Sequence, residues 1–463
     1  TWPLTASRLA TARPTLRWHD EGAVHVELCR DRACREVILR VDARGGSLTV
    51  PEALHGTVFW RLLTDAPGVA PTAAWWFAVS AHPTDVGRVT DTRTDVNGDG
   101  YADALIGDTL FLGSAEAPYL TQTPRALPRG ERRVPAGDIN GDGFGDLLLS
   151  TPRHGPIQLY LGGEGGYAAE PCASIEAPAR SATWGDMFVS LGDVNGDGYG
   201  DVAVGVSGRD VVYLYAGTAA GVEARPAAEI HRWPRSRSLL GTTVAALQDV
   251  NGDGYADIGV TTHEGDADFG VFLGAASWPA ARPAWTMWTQ YWRGETIALV
   301  PAGDLDGDGF ADVLRDDHGN FPTCRHCVWL RGGAAGVADA THEAPTSGLR
   351  RLRVRLSTDE TEASAVALPV GDLDGDGFDD VLLAEPREGG PTRMSLVHGG
   401  PDGPGAAVRF DSLRANEFVV RLGDVDRDGF DDLLIPEGGP WRIARGAPAG
   451  QPMRVSELAA HPR

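Results

Sequence analysis

Asp95-Val96-Asn97-Gly98-Asp99-Gly100-Tyr101-Ala102-Asp103 offers an oxygen at every odd position. Positions 1, 3, 5 and 9 supply side-chain oxygens and position 7 a backbone carbonyl. The pattern D-x-[DN]-x-D-G-[YF]-x-D then returns at Asp138, Asp193, Asp249, Asp304, Asp372 and Asp424, at intervals of 43 to 68 residues. Calcium takes six to eight oxygens, and Gly at position 6 permits the sharp turn that lets them converge. Without a cation, so many anionic oxygens on one tight loop would repel one another. The expected ligands are Asp95, Asn97, Asp99, Tyr101 and Asp103 in loop 1, and Asp138, Asn140, Asp142, Phe144 and Asp146 in loop 2. Loop 3 offers Asp193, Asn195, Asp197, Tyr199 and Asp201, and loop 4 Asp249, Asn251, Asp253, Tyr255 and Asp257. Loop 5 offers Asp304, Asp306, Asp308, Phe310 and Asp312, and loop 6 Asp372, Asp374, Asp376, Phe378 and Asp380. Loop 7 offers Asp424, Asp426, Asp428, Phe430 and Asp432. The cofactor expected is calcium, up to seven ions.

An EF-hand would need Glu at position 12 and flanking helices. Position 12 is Ile106, Leu149, Val204, Val260, Arg315, Leu383 and Ile435, so that reading fails. Short apolar runs such as Leu147-Leu148-Leu149 follow the loops instead, and read as buried strands. A second β-rich run ending in Gly comes next, as in Ile157-Gln158-Leu159-Tyr160-Leu161-Gly162. About four strands per repeat, seven times over, predicts an all-β chain: a seven-bladed β-propeller over 87–463 with one calcium loop per blade.

Residues 1–86 lack the repeat. Alternating segments such as Ala23-Val24-His25-Val26-Glu27-Leu28, separated by turn signals, predict a small antiparallel β-sandwich. Cys29 and Cys34 flank a short turn where a disulfide is feasible. Cys324-Arg325-His326-Cys327 lacks the further ligands a zinc site needs, so a short disulfide or loop thiols is the expectation there, and Cys172 reads as a small core residue.

Trp184-Gly185-Asp186-Met187-Phe188-Val189-Ser190-Leu191-Gly192-Asp193-Val194-Asn195-Gly196-Asp197-Gly198-Tyr199-Gly200-Asp201 resembles the FG-GAP repeats of integrin α-subunit propellers and their bacterial relatives. The resemblance implies a seven-bladed propeller, calcium between the first two strands of a blade, and extracellular recognition or adhesion. Thr94 and Gln248 depart from it by replacing the Gly that precedes the other loops, and Arg427 replaces Gly at position 4 of loop 7. There is no Arg-Gly-Asp triplet. Leu16-Arg17-Trp18 and Phe59-Trp60-Arg61 resemble fibronectin type III modules.

The formal charge of −23 excludes a general nucleic-acid binder, since nothing would offset phosphate repulsion. All 41 basic residues are Arg. No apolar run approaches the ~20 residues of a membrane span. Opening on Thr1 rather than Met, the chain is expected to have lost a leader or to belong to a longer parent. Paired cysteines fit an oxidising compartment, so a secreted or cell-surface location is expected. No nucleophile elbow or phosphate-binding Gly loop is present, and no catalytic residue is assigned. The connections expected on the face opposite the calcium loops are rich in Arg and aromatics. Arg232, Trp233, Arg235, Trp288, Trp292, Arg351 and Arg353 are therefore the candidates for a protein or glycan ligand. The resulting expectation is a monomeric, non-enzymatic, calcium-stabilised adhesion protein. The alternative is a polysaccharide-active enzyme or carbohydrate-binding module on the same scaffold. Loops 5–7 carry four carboxylates each and loops 1–4 three, so charge count alone makes loops 5–7 the tighter calcium sites.

Overall fold

The computed structural model describes most of residues 7–457. The segments 81–88, 234–238, 263–267, 289–295, 319–323, 338–365, 410–418 and 436–441, shorter stretches and both termini lie outside the described residues. The chain is all-β; among the described residues its helix is a single turn at Ser207–Arg209.

Among the described residues from 104 onward, seven antiparallel sheets of three or four strands succeed one another, and a two-stranded hairpin, Gly217–Thr218 with Gly221–Val222, interrupts the third. The third is the fullest example: Met187–Gly192, Asp201–Val206, Val211–Tyr215 and Ala228–His231. Every residue of Asp201–Val206 is buried, as expected of a strand covered on both faces. The covering layers are the adjacent sheets. Leu148 and Leu159 of the second sheet pack with Phe188 and Val204 of the third, and Leu214 of the third with Val260 and Phe272 of the fourth. Fourth joins fifth through Val271 and Val313, fifth joins sixth through Leu314 and Leu383, and sixth joins seventh through Leu382 and Leu433. Val425 and Leu434 of the seventh then pack on Ala104 and Leu120 of the first, which packs in turn on Leu147 and Leu149 of the second.

The Gly before five of the seven loops has a backbone cause. In six sheets the first strand shifts register just before the loop, at Gly137, Gly192, Gln248, Gly303, Gly371 and Gly423. The glycines there have φ of 64–80°, the left-handed region where a β-carbon is penalised. Gln248 adopts φ 62° at the same point and bears that strain.

The N-terminal segment forms a six-stranded sheet and a two-stranded sheet, Thr15–Arg17 with Ser47–Thr49. Leu16 and Leu48 of the small sheet meet Val26, Trp60 and Phe77 of the large one. The expectation of purely antiparallel pairing needs correction, because Ser7–Leu9 runs parallel to Trp75–Val79. Its other neighbour is Val89–Thr92, on the repeat side of the boundary expected at 86/87. Cys29 and Cys34 form a disulfide between a strand end and the following turn. Cys324 and Cys327 fall on the strand Cys324–Leu330 rather than in a loop. Cys172 is exposed and not a core residue, because it lies just before the outer strand Ala173–Ile175.

Candidate metal centre

Loops 2–7 each join the first two strands of their sheet, whereas loop 1 leads from Val89–Thr92 of the N-terminal sheet into Ala104–Ile106, and the same hydrogen bonds recur in all of them. In loop 3, Asp193 at position 1 accepts the N–H groups of Asp197 and Gly198, at 3.0 and 2.8 Å. Asp197 at position 5 accepts the Tyr199 N–H at 3.0 Å. Asp201 at position 9 is fully buried; its Oδ2 accepts the Val194 N–H and its Oδ1 the N–H of Gly217 at the end of the third strand. The equivalent two bonds to position 9 exist in every loop, to Asp103, Asp146, Asp257, Asp312, Asp380 and Asp432. Position 9 therefore ties loop to sheet, a role that spacing alone did not reveal. Asp201→Asn keeps one acceptor and turns an amide N–H₂ on the other donor. It should cost about 1–3 kcal/mol in melts run in excess chelator, where no loss of metal adds to it. A loss confined to calcium-containing buffer would refute this tying role.

The loops also bond to one another. Position 8 of one loop donates its N–H to the position 1 carbonyl of the loop before it: Gly145 to Asp95, Ala256 to Asp193, Ala311 to Asp249, Asp379 to Asp304 and Asp431 to Asp372. Ala102 of loop 1 donates to Asp424 of loop 7 at 3.1 Å.

Burial dominates the electrostatics. It pushes the carboxyls of Asp95, Asp138, Asp193, Asp304 and Asp372 up to about 7, with neighbouring carboxylates adding to the rise. Asp432 is pushed up to about 9 for the same first reason, and Asp201 and Asp312 stand well above the usual carboxylate range. Such buried, mutually repelling acids suit a cation. Carboxylate oxygens of Asp304, Asp306 and Asp308 lie within 4.8 Å of one another, as do those of Asp372, Asp374 and Asp376, and of Asp424, Asp426 and Asp432. With the position 7 carbonyl, these donors are all hard oxygens, the set that calcium prefers.

The N-terminal sheets reach these loops, which the sequence reading missed. Trp76 donates its indole N–H to Asp95 Oδ2 at 2.6 Å, and Trp75 donates to the Gly141 carbonyl at 2.7 Å. Arg32 donates to the carbonyls of Gly98 and Gly143 and lies over the Phe144 ring. Arg8, 5% exposed, contacts Asp379 at 2.6 Å and Asp372 at 3.2 Å. Arg427, with φ 57° where the other loops have Gly, places its guanidinium over Tyr101 and Phe59. That contact offsets some of its backbone strain. One signal was visible: Trp75-Trp76-Phe77-Ala78-Val79 is apolar throughout, the mark of a strand buried on both faces.

Of the ligand-face candidates, Trp233 is buried edge-on against Phe272, ring centroids 5.8 Å apart, and belongs to the packing between sheets. Arg232 is half-exposed, 3.6 Å from Asp210. Trp288 ends the strand Trp285–Trp288. Arg235, Trp292, Arg351 and Arg353 lie outside the described residues.

Residues 138–204 and 193–260 match the profile of the FG-GAP-like repeat, and 364–407 match that of the FG-GAP repeat. Integrin alpha-PS5 of Drosophila melanogaster is 29% identical over 172 residues, covering 31% of this chain and 16% of the relative. Integrin alpha-5 of Xenopus laevis is 28% identical over 184 residues, 34% of this chain and 16% of the relative. The matches therefore span about a sixth of these relatives' length. The WD40 domain of Toxoplasma gondii coronin superposes with TM-score 0.40 at 11% identity, covering 81% of this chain and 77% of that one. Overlaps this loose carry no information about function. No helix among the described residues is long and apolar enough to cross a membrane.

Proposed function

We propose that this chain is a calcium-held, seven-bladed propeller that works as a non-enzymatic extracellular recognition or adhesion module. The observation that carries the reading is the sevenfold recurrence of one acidic, hydrogen-bonded loop at the junctions of successive sheets. Calcium at each loop would neutralise carboxyls that burial otherwise keeps protonated, and so lock the blade junctions. Seven such ions would offset more than half of the −23 formal charge. The FG-GAP repeats and the likeness to integrin α chains support an adhesive role, and the Cys29–Cys34 disulfide supports an oxidising, extracellular setting. Because Arg8, Arg32, Trp75 and Trp76 engage the loops, the partner is expected on the opposite face, with the chain a monomer.

The test is capture of the intact chain on an array of glycans and matrix proteins, in calcium and in excess chelator. Calcium-dependent capture that is lost in the double variant Arg351→Ala/Arg353→Ala supports a cationic recognition face. Release of product from an arrayed glycan would replace this reading with that of a polysaccharide-active enzyme.

A further inference from the structure

One position outside the loops changes in step with loop chemistry. It precedes the Gly whose N–H caps the position 9 carboxylate, so that bond holds it beside the loop. In loops 1–4, where position 3 is Asn, this neighbour is Leu112, Leu161, Ala216 and Leu273. In loops 5–7, where position 3 is Asp306, Asp374 and Asp426, it is Arg331, His398 and Arg445.

The geometry explains the exchange. Each asparagine of loops 1–4 donates its side-chain N–H to Oδ2 of the position 5 carboxylate, at 2.8–2.9 Å. Asp at position 3 cannot donate, and it brings a second negative charge beside the first. In loop 5 the same acceptor, Asp308 Oδ2, lies 2.9 Å from Arg331 Nη2, and Arg331 Nε pairs with Asp306. In loop 7, Arg445 Nη1 donates to Asp426 Oδ2 at 2.9 Å while its guanidinium lies over Tyr119. In loop 6, His398 Nδ1 faces Asp374 Oδ2 at 3.1 Å.

We propose that Arg331 and Arg445 are internal counter-cations that set the calcium affinity of loops 5 and 7, Arg331 also taking the place of the asparagine amide at the position 5 carboxylate. Four carboxylates and one guanidinium leave loop 5 with the same net charge as three carboxylates and an amide. The tighter binding expected from carboxylate count is thereby cancelled in loop 5, and without metal loop 5 keeps a cation of its own. The inference rests on the calcium reading for its affinity half only; the metal-free half stands independently.

The test is a double-variant cycle on the intact chain: Arg331→Leu, Asp306→Asn and the pair together. In excess chelator, Arg331→Leu should melt below the parent, and adding Asp306→Asn should recover most of the loss, since the new amide again donates to Asp308. In calcium titration calorimetry, Arg331→Leu should tighten one site by about tenfold, the effect of one unit charge near a divalent ion in a water-like dielectric. The double variant should return to the parent affinity. Equal melting of the single and double variants in chelator would overturn the counter-cation role, leaving Arg331 a packing residue. An unchanged affinity in Arg331→Leu would overturn its tuning of the metal. If the parent takes up no calcium at all, the calcium reading and the affinity half fall together, and the chelator melts still decide the counter-cation.

Discussion

Transfer from saturating calcium into excess chelator should lower the melting temperature more than any single substitution, and more at about pH 8 than at about pH 5. Each independent site held at about 100 times its Kd contributes ~2.7 kcal/mol. Four such sites would supply on the order of 10 kcal/mol, as much as the whole stability of an ordinary domain. The pH trend follows from the sign of the carboxyl shifts. Asp95, Asp138, Asp193, Asp304 and Asp372 are raised to about 7 by burial in the folded chain. Unfolded, they titrate near the usual carboxylate value of about 4. Between those values the metal-free folded state holds protons that the unfolded state has released. Its stability is therefore present in acid and drains away as pH rises through about 7. Calcium must displace the same protons, so its contribution grows over that interval. Calorimetric melts with and without chelator at both pH values decide it. Superimposable melts would remove calcium from the folded state, and a chelated protein that gains stability with rising pH would refute the account of the buried carboxyls.

The loops were legible in the sequence because their chemistry is local. Nine residues contain the carboxylates, the carbonyl and the glycines, and recurrence does the rest. The strands after them were legible for the same reason: Leu147-Leu148-Leu149 is apolar at every position, as a strand between two layers must be. What escaped is what the chain brings together from afar. Asp201 reads in the sequence as a ligand alone; its second role, tying the loop to the sheet, needs its two backbone donors, one of them 16 residues downstream. Trp233 looked like a recognition residue because an Arg-flanked tryptophan suits both an interface and a core, and only its contact with Phe272 separates the two. Arg8 gave no signal, since its partners lie 364 and 371 residues away. The pairing of Arg331 with Asp306 could have been found by comparing repeats position by position, since the repeats form an alignment within one chain.

Arg8→Met should destabilise the protein by about 3–5 kcal/mol, the cost of leaving a buried charge without its partner. Ser7–Leu9 is a short strand held between Trp75–Val79 and Val89–Thr92, and it carries Arg8 between loop 6 carboxylates. Asp379 Oδ1 receives Arg8 at 2.6 Å, while its Oδ2 accepts the Asp304 N–H of loop 5 at 2.7 Å. One buried carboxylate thus links the N-terminal sheet to the junction between loops 5 and 6. Methionine keeps the length of the side chain and removes the charge, so Asp379 and Asp372 are left facing one another in a buried site. The double variant Arg8→Met/Asp379→Asn removes that repulsion and keeps an amide oxygen for Asp304. It should recover a large part of the loss, and the recovery separates electrostatic pairing from simple packing. Calorimetry supplies a second readout: if Arg8 couples the N-terminal sheets to the loops, the parent should melt in one transition and Arg8→Met in two. A single transition at the parent temperature would show that Arg8 couples nothing, and equal losses in the single and double variants would assign the effect to packing around Leu9 and its neighbours.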